Sequence, residues 1–98
     1  MRTNSILIVD DDEKLCALLR SYFEQEQFIV YVAHDGTEAL NLLRSQKPQI
    51  MLLDLMMPGM DGFEVCRRTR QFSDIPIIFL SAKDDETDRL VGLNIGGD

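Results

Sequence analysis

The sequence predicts an α/β domain: a doubly wound parallel sheet with helices on both faces. Three observations carry that prediction. Apolar strand-like stretches at residues 6–9, 28–33, 50–53 and 75–80 alternate with segments of helical periodicity. Two of the stretches, Ile6-Leu7-Ile8-Val9 and Ile50-Met51-Leu52-Leu53, are apolar without interruption, the pattern of strands buried on both faces. Each strand-plus-helix unit takes roughly 23 residues, the length of a βαβ repeat.

The elements follow in order. After the first strand, Asp12 can cap a helix in which Leu15, Leu18, Leu19, Tyr22 and Phe23 form one stripe. Residues 28–33 are β-branched and aromatic, a second strand. Asp35-Gly36 reads as a turn, and Ala39, Leu40, Leu42 and Leu43 then share one side of a short helix that ends before Pro48. The third strand stops at Asp54. A loop containing Pro58-Gly59 and Asp61-Gly62, with Asp61 read as a turn residue, leads to a helix over about 63–70. Residues 75–80 form the fourth strand, with Pro76 tolerated near its start. A last helix is expected over about 84–95, closed by Gly96-Gly97.

Composition narrows the function. At 98 residues one compact domain, 1–98, is expected, with no second domain within this sequence. A net charge of −7 argues against a nucleic-acid surface, which needs clustered Lys and Arg. No apolar run approaches the roughly 20 residues that cross a bilayer, and the N-terminus lacks a cleavage-site pattern. A cytoplasmic protein without a membrane partner is expected. Cys16 and Cys66 show no CxxC or zinc spacing and read as reduced thiols on helices over opposite sheet faces, unable to pair. His34, the only histidine, precedes the Asp35-Gly36 turn and is read as a surface residue.

The aspartates carry the chemistry. Asp10, Asp11 and Asp12 follow the first strand at once, and Asp54 closes the third. Ligands of parallel α/β sheets bind beyond the carboxyl ends of the strands, where the winding reverses. If these two strands are neighbours there, their carboxylates converge and repel, and a hard cation such as Mg²⁺ relieves the conflict. Ser81 adds a hydroxyl to the same rim. Together these groups suit phosphoryl transfer with Asp54 as nucleophile. Met56, Met57 and Met60 are soft groups that cover the loop and do not ligate. Asp12 reads as a cap alone.

Three segments, Ile6-Leu7-Ile8-Val9-Asp10-Asp11-Asp12, Leu53-Asp54-Leu55-Met56-Met57-Pro58-Gly59-Met60-Asp61-Gly62 and Phe79-Leu80-Ser81-Ala82, resemble the receiver domains of bacterial two-component response regulators. The stretch 88–98 is similar to the subfamily that carries a winged-helix DNA-binding domain. The resemblance spans the chain and implies a flavodoxin-like sheet of order 2-1-3-4-5, here without its final strand and helix. It implies Asp54 as phospho-acceptor, with Asp10, Asp11, Asp54 and the Met56 backbone carbonyl around Mg²⁺. Ser81 becomes the switch hydroxyl, with the Ala82 backbone beside it. The implied partner is a sensor histidine kinase. The implied role is a phosphorylation switch, not a turnover enzyme, controlling transcription through a DNA-binding domain absent from this chain.

Family members continue past Asp98, and the continuation holds a lysine that meets the phosphoryl group. Lys83 is displaced from that position. The alternative is therefore a folded or oligomerising receiver fragment that binds metal without efficient phosphorylation. An uncovered edge at 77–80 predicts association, a strand-exchanged dimer or a rearranged sheet. An aspartate phosphatase of the haloacid dehalogenase kind is disfavoured because Lys14 stands where its DxDx[TV] pattern needs Thr or Val. A nucleotide or flavin module is disfavoured because no GxGxxG or GxxxxGK[ST] follows a strand.

Overall fold

The computed structural model describes residues 4–80. The helix expected over 84–95, together with Ser81, Ala82 and Lys83, lies outside the described residues. Four strands alternate with three helices: β1 (Ser5–Val9), α1 (Glu13–Gln25), β2 (Ile29–Ala33), α2 (Gly36–Gln46), β3 (Ile50–Asp54), α3 (Gly62–Thr69) and β4 (Ile77–Leu80). All pairings are parallel and the spatial order is β2-β1-β3-β4. This is the flavodoxin-like order expected, with no rearrangement among the described strands.

The two uninterrupted apolar strands occupy the middle of the sheet. Alternate residues of β1 enter different cores. Ile6 and Ile8 pack with Cys16, Val30 and Leu52 beneath α1. Leu7 and Val9 pack with Leu40, Leu43, Met51, Leu53, Val65 and Ile77 beneath α2 and α3. Cys16 and Cys66 are both buried, deeper than the half-buried thiols expected, and they lie on opposite faces of the sheet, as the sequence predicts. β2 lies at one side of the sheet, which leaves Ile29 exposed.

Register is fixed at the far end of β1 and β3. Ser5 N–H donates to Gln49 Oε1 at 3.0 Å, while Gln49 N–H meets Ser5 O at 3.1 Å and Ser5 Oγ at 3.2 Å. From there the pairing Ile6↔Ile50 runs to Val9↔Leu53.

Helix α1 departs from the expected stripe. Cys16 is buried and Leu19 and Phe23 pack against its cluster, but Leu18 and Tyr22 are 68% and 57% exposed. At about 100° per residue, a face centred between Cys16, Leu19 and Phe23 leaves Leu18 about 130° away. The apolar arc is wider than the sheet covers. The helix ends in a Schellman motif. Gln27 is left-handed at φ 74°, Phe28 N–H reaches Phe23 O at 3.0 Å, and Gln27 N–H reaches Glu24 O at 3.0 Å. The Phe23 and Phe28 rings meet edge-on at 5.3 Å, the apolar contact that accompanies this ending.

Both Asp-Gly pairs behave differently from the sequence reading. Asp35 and Asp61 are N-caps, accepting from Glu38 N at 2.8 Å and Glu64 N at 3.0 Å, and each glycine opens its helix. A side-chain oxygen that satisfies a free N–H at a helix start outcompetes the turn. Gly62 also answers a steric demand: a Cβ there would collide with the Asp54 carbonyl oxygen and lie 2.8 Å from Leu55 Cα. The helix start is thereby pressed onto the end of β3. β4 begins at Ile77, two residues later than the sequence places it, although Pro76 O still accepts from Met51 N at 3.0 Å.

Candidate functional site

The central strands β1 and β3 end side by side, and both endings are acidic. Asp10, Asp11 and Asp54 each offer a carboxylate oxygen within 4.8 Å of the other two. Asp10 and Asp54 are buried, at 5% and 3% exposure, and Asp11 is exposed. The two buried carboxylates are each held locally. Asp10 Oδ1 accepts from Asp12 N at 2.9 Å, and Asp54 Oδ1 accepts from Met56 N at 3.1 Å. Asp12 stands apart as the cap of α1, accepting from Lys14 N and Leu15 N at 3.0 and 3.1 Å.

Burial pushes the Asp10 carboxyl up from its ordinary 3.8 to about 6, and the charges of Asp54, Asp11 and Asp12 push the same way. The Asp12 N–H opposes them only in part. A buried Asp10 carboxylate penalised in this way, with two more carboxylates beside it, offers a place for a cation.

The donor set fits Mg²⁺. All three side chains offer hard carboxylate oxygens, all within 4.8 Å of one another, close enough to share one small cation. Asp10 and Asp54 are already oriented by backbone N–H groups, and Asp11 stands exposed beside them. Met57 is buried and Met60 packs on the core beneath α2 and α3, while the Met56 side chain is exposed.

Two further side chains meet the site, and the sequence reading missed both. His34, expected at the surface, is half-buried, with Nδ1 3.0 Å from Asp10 O. Cys16 Sγ lies 3.3 Å from the same carbonyl and 3.9 Å from His34 Nδ1. Burial, then the neighbouring aspartates led by Asp10, pushes the Cys16 thiol up to about 11, so it stays protonated. No local spacing announces these contacts. The His34 contact arises from the register Val9↔Ala33, which brings the residue after β2 beside the residue after β1.

Comparison with known proteins agrees with this geometry. Residues 6–98 match the family described as the response regulator receiver domain, and the chain belongs to that family. It is 34% identical to the receiver domain of the Francisella response regulator 1452, covering 93% of this chain and 76% of that one with a TM-score of 0.80. The BeF3-activated N-terminal receiver domain of Klebsiella pneumoniae RstA is 32% identical, with 92% and 77% covered and a TM-score of 0.80. TrrA of Thermotoga maritima, solved in complex with Mg(2+)-BeF, is 34% identical, with 84% and 72% covered and a TM-score of 0.78. The aspartate cluster thus resembles the phospho-acceptor sites of receiver domains activated with beryllofluoride.

Receiver domains are signalling switches partnered by sensor histidine kinases, not turnover enzymes, so the phosphatase and the nucleotide module fall away. Among the described residues no helix is long and apolar enough to cross a membrane.

Proposed function

We propose that Asp54 is the phospho-acceptor of a two-component switch whose metal site is formed by Asp10, Asp11, Asp54 and the Met56 backbone carbonyl. The convergence of three carboxylates at the ends of β1 and β3 carries this reading. A carboxylate oxygen of Asp54 forms a bond to the phosphorus of a phosphohistidine on the kinase. The bond from phosphorus to the imidazole nitrogen breaks, and the ring leaves with that electron pair and takes a proton. The product on this chain is an aspartyl-phosphate. Asp10 and Asp54 would hold Mg²⁺ directly, and when bound it neutralises charge on the phosphoryl oxygens. Met56 N–H fixes the acceptor carboxylate.

Ser81 and Ala82, the residues after β4, complete the proposal as the switch hydroxyl and its neighbouring backbone. Pairing of β3 with β4 at Asp54↔Leu80 supports it by bringing the end of β4 level with the acceptor.

The same reading takes residues 1–98 as a single cytoplasmic receiver domain of the winged-helix subfamily, on the motif at 88–98. Transcriptional control then belongs to a DNA-binding domain outside this sequence. A gel-shift titration in which this chain alone bound duplex DNA would contradict that division. Among the described residues β4 pairs only with β3, which supports self-association or strand exchange through its outer edge. A monodisperse monomer in sedimentation would sink that part.

The central test is intact mass after incubation with a small phosphodonor and Mg²⁺, beside Asp54→Asn and a metal-free control. One phosphoryl group gained, dependent on metal and absent from the variant, is the expected result. Mg²⁺ binding without phosphoryl uptake would favour the inactive, metal-binding receiver instead.

A further inference from the structure

We propose that His34 and Cys16 are positioning residues that grip the Asp10 carbonyl and thereby set the directions of the Asp10 and Asp11 carboxylates toward the metal. The inference deepens the metal-site reading above and rests on it.

The gripped carbonyl belongs to the planar peptide unit that joins Asp10 to Asp11. The direction of its oxygen is set by ψ of Asp10 and φ of Asp11, the two torsions that place Asp11 relative to Asp10, so holding that oxygen bears on two candidate ligands at once. The hold comes from two elements. His34, directly after β2, places Nδ1 3.0 Å from Asp10 O, and Cys16, in the first turns of α1, places Sγ 3.3 Å from it. A carbonyl oxygen only accepts, so at 3.0 Å His34 Nδ1 carries the proton and donates. That nitrogen then has no lone pair for Cys16, whose S–H turns to the second lone pair of the same oxygen.

The rest of Asp10 is also held. Its N–H donates to Ala33 O at 3.1 Å, and its Oδ1 accepts from Asp12 N at 2.9 Å. His34 is in turn anchored by its own N–H, which donates to Glu38 Oε1 at 2.9 Å. β2, α1 and α2 therefore all support the strand end that presents the metal carboxylates. Groups that orient metal ligands from behind raise affinity by removing the disorder that binding would otherwise have to quench, commonly by about 10- to 100-fold.

The test is Mg²⁺ titration calorimetry on the full chain and on His34→Ala, His34→Asn, Cys16→Ser and Cys16→Ala. Urea unfolding in chelator confirms that each variant is folded. The expected result is Mg²⁺ binding weakened about tenfold in His34→Ala. His34→Asn, whose amide N–H can stand where Nδ1–H stands, should recover most of the loss. Cys16→Ser should hold affinity better than Cys16→Ala. Unchanged affinity in folded His34→Ala, or equal losses for Ala and Asn, would overturn the proposal. Because a variant can fail to fold, the imidazole ¹⁵N spectrum of the wild-type chain gives an independent check. The Nδ1–H tautomer is expected, and the Nε2–H tautomer would overturn the grip. A wild-type chain that binds no Mg²⁺ would remove the metal-site reading and this one with it, whereas binding equal in wild type and variants removes this one alone.

Discussion

Replacing Asp10 by Asn removes one buried charge while keeping an oxygen that can accept from Asp12 N–H. The native carboxyl sits at about 6 against an ordinary 3.8, a difference of about two units. At about 1.4 kcal/mol per unit, ionised Asp10 costs the metal-free fold about 3 kcal/mol at pH 7.5. The sign follows from proton binding. A carboxyl with a raised native value holds its proton more tightly folded than unfolded, so its contribution is fully present below pH 4 and is lost as pH rises through 6. Asp10→Asn should therefore be more stable than wild type in chelator at pH 7.5, by up to that amount, and the advantage should vanish below pH 4. For a domain of this size, with a urea slope of about 1 kcal/mol per molar, the midpoint should rise by about 1–3 M. Mg²⁺ should then narrow the gap, because it stabilises the wild type by mass action and finds one ligand fewer in the variant. Urea unfolding followed by circular dichroism across pH 4–8, with and without Mg²⁺, measures all of this. A variant less stable than wild type in chelator at pH 7.5, or a difference that does not change with pH, would refute the claim that this carboxylate is held against its own preference.

Other perturbations test other parts of the structure. Gly62→Ala places a Cβ against the Asp54 carbonyl and Leu55 Cα, so about 3 kcal/mol of stability should be lost in urea unfolding. An unchanged midpoint would show that α3 does not press on β3 as described. Asp61→Ala removes the cap of α3 and should cost about 1 kcal/mol, read from the same unfolding curves. Leu53→Ala empties a fully buried position on β3 beneath α2 and α3 and should cost about 2–5 kcal/mol. Mild oxidation should leave both thiols reduced or modified singly, with no internal Cys16–Cys66 bridge in a non-reducing mass map, because the two lie on opposite faces of the sheet.

What the sequence reveals here is what is decided by neighbours in the chain. β1 and β3 are legible because burial on both faces leaves no polar position until the aspartates that end them, and those endings expose the site. Asp12 as a cap is legible for the same local reason. Asp35 and Asp61 carry a local signal too: each is followed three residues on by glutamate, Glu38 and Glu64, the spacing of a helix start. The Asp-Gly pair competes with that signal and reads as a turn. The exposed Leu18 and Tyr22 lie beyond any periodicity argument, since an apolar arc says which residues can face a sheet and not how much sheet is there to cover them. The contacts of Cys16 and His34 with Asp10 join residues 6 and 24 positions away, and only the pairing of β1 with β2 creates the second of them.

The clasp of Ser5 with Gln49 gives this site an origin at a distance. Five residues of strand, about 16 Å, separate it from the acidic end. Every residue by which β3 slid along β1 would carry Asp54 about 3.3 Å relative to Asp10, more than the length of a Mg²⁺–oxygen bond. An odd slip would also turn Leu53 and Asp54 toward the wrong faces. The spacing of the carboxylates is thus an alignment decision made at the opposite rim of the sheet, by residues that touch neither metal nor phosphate.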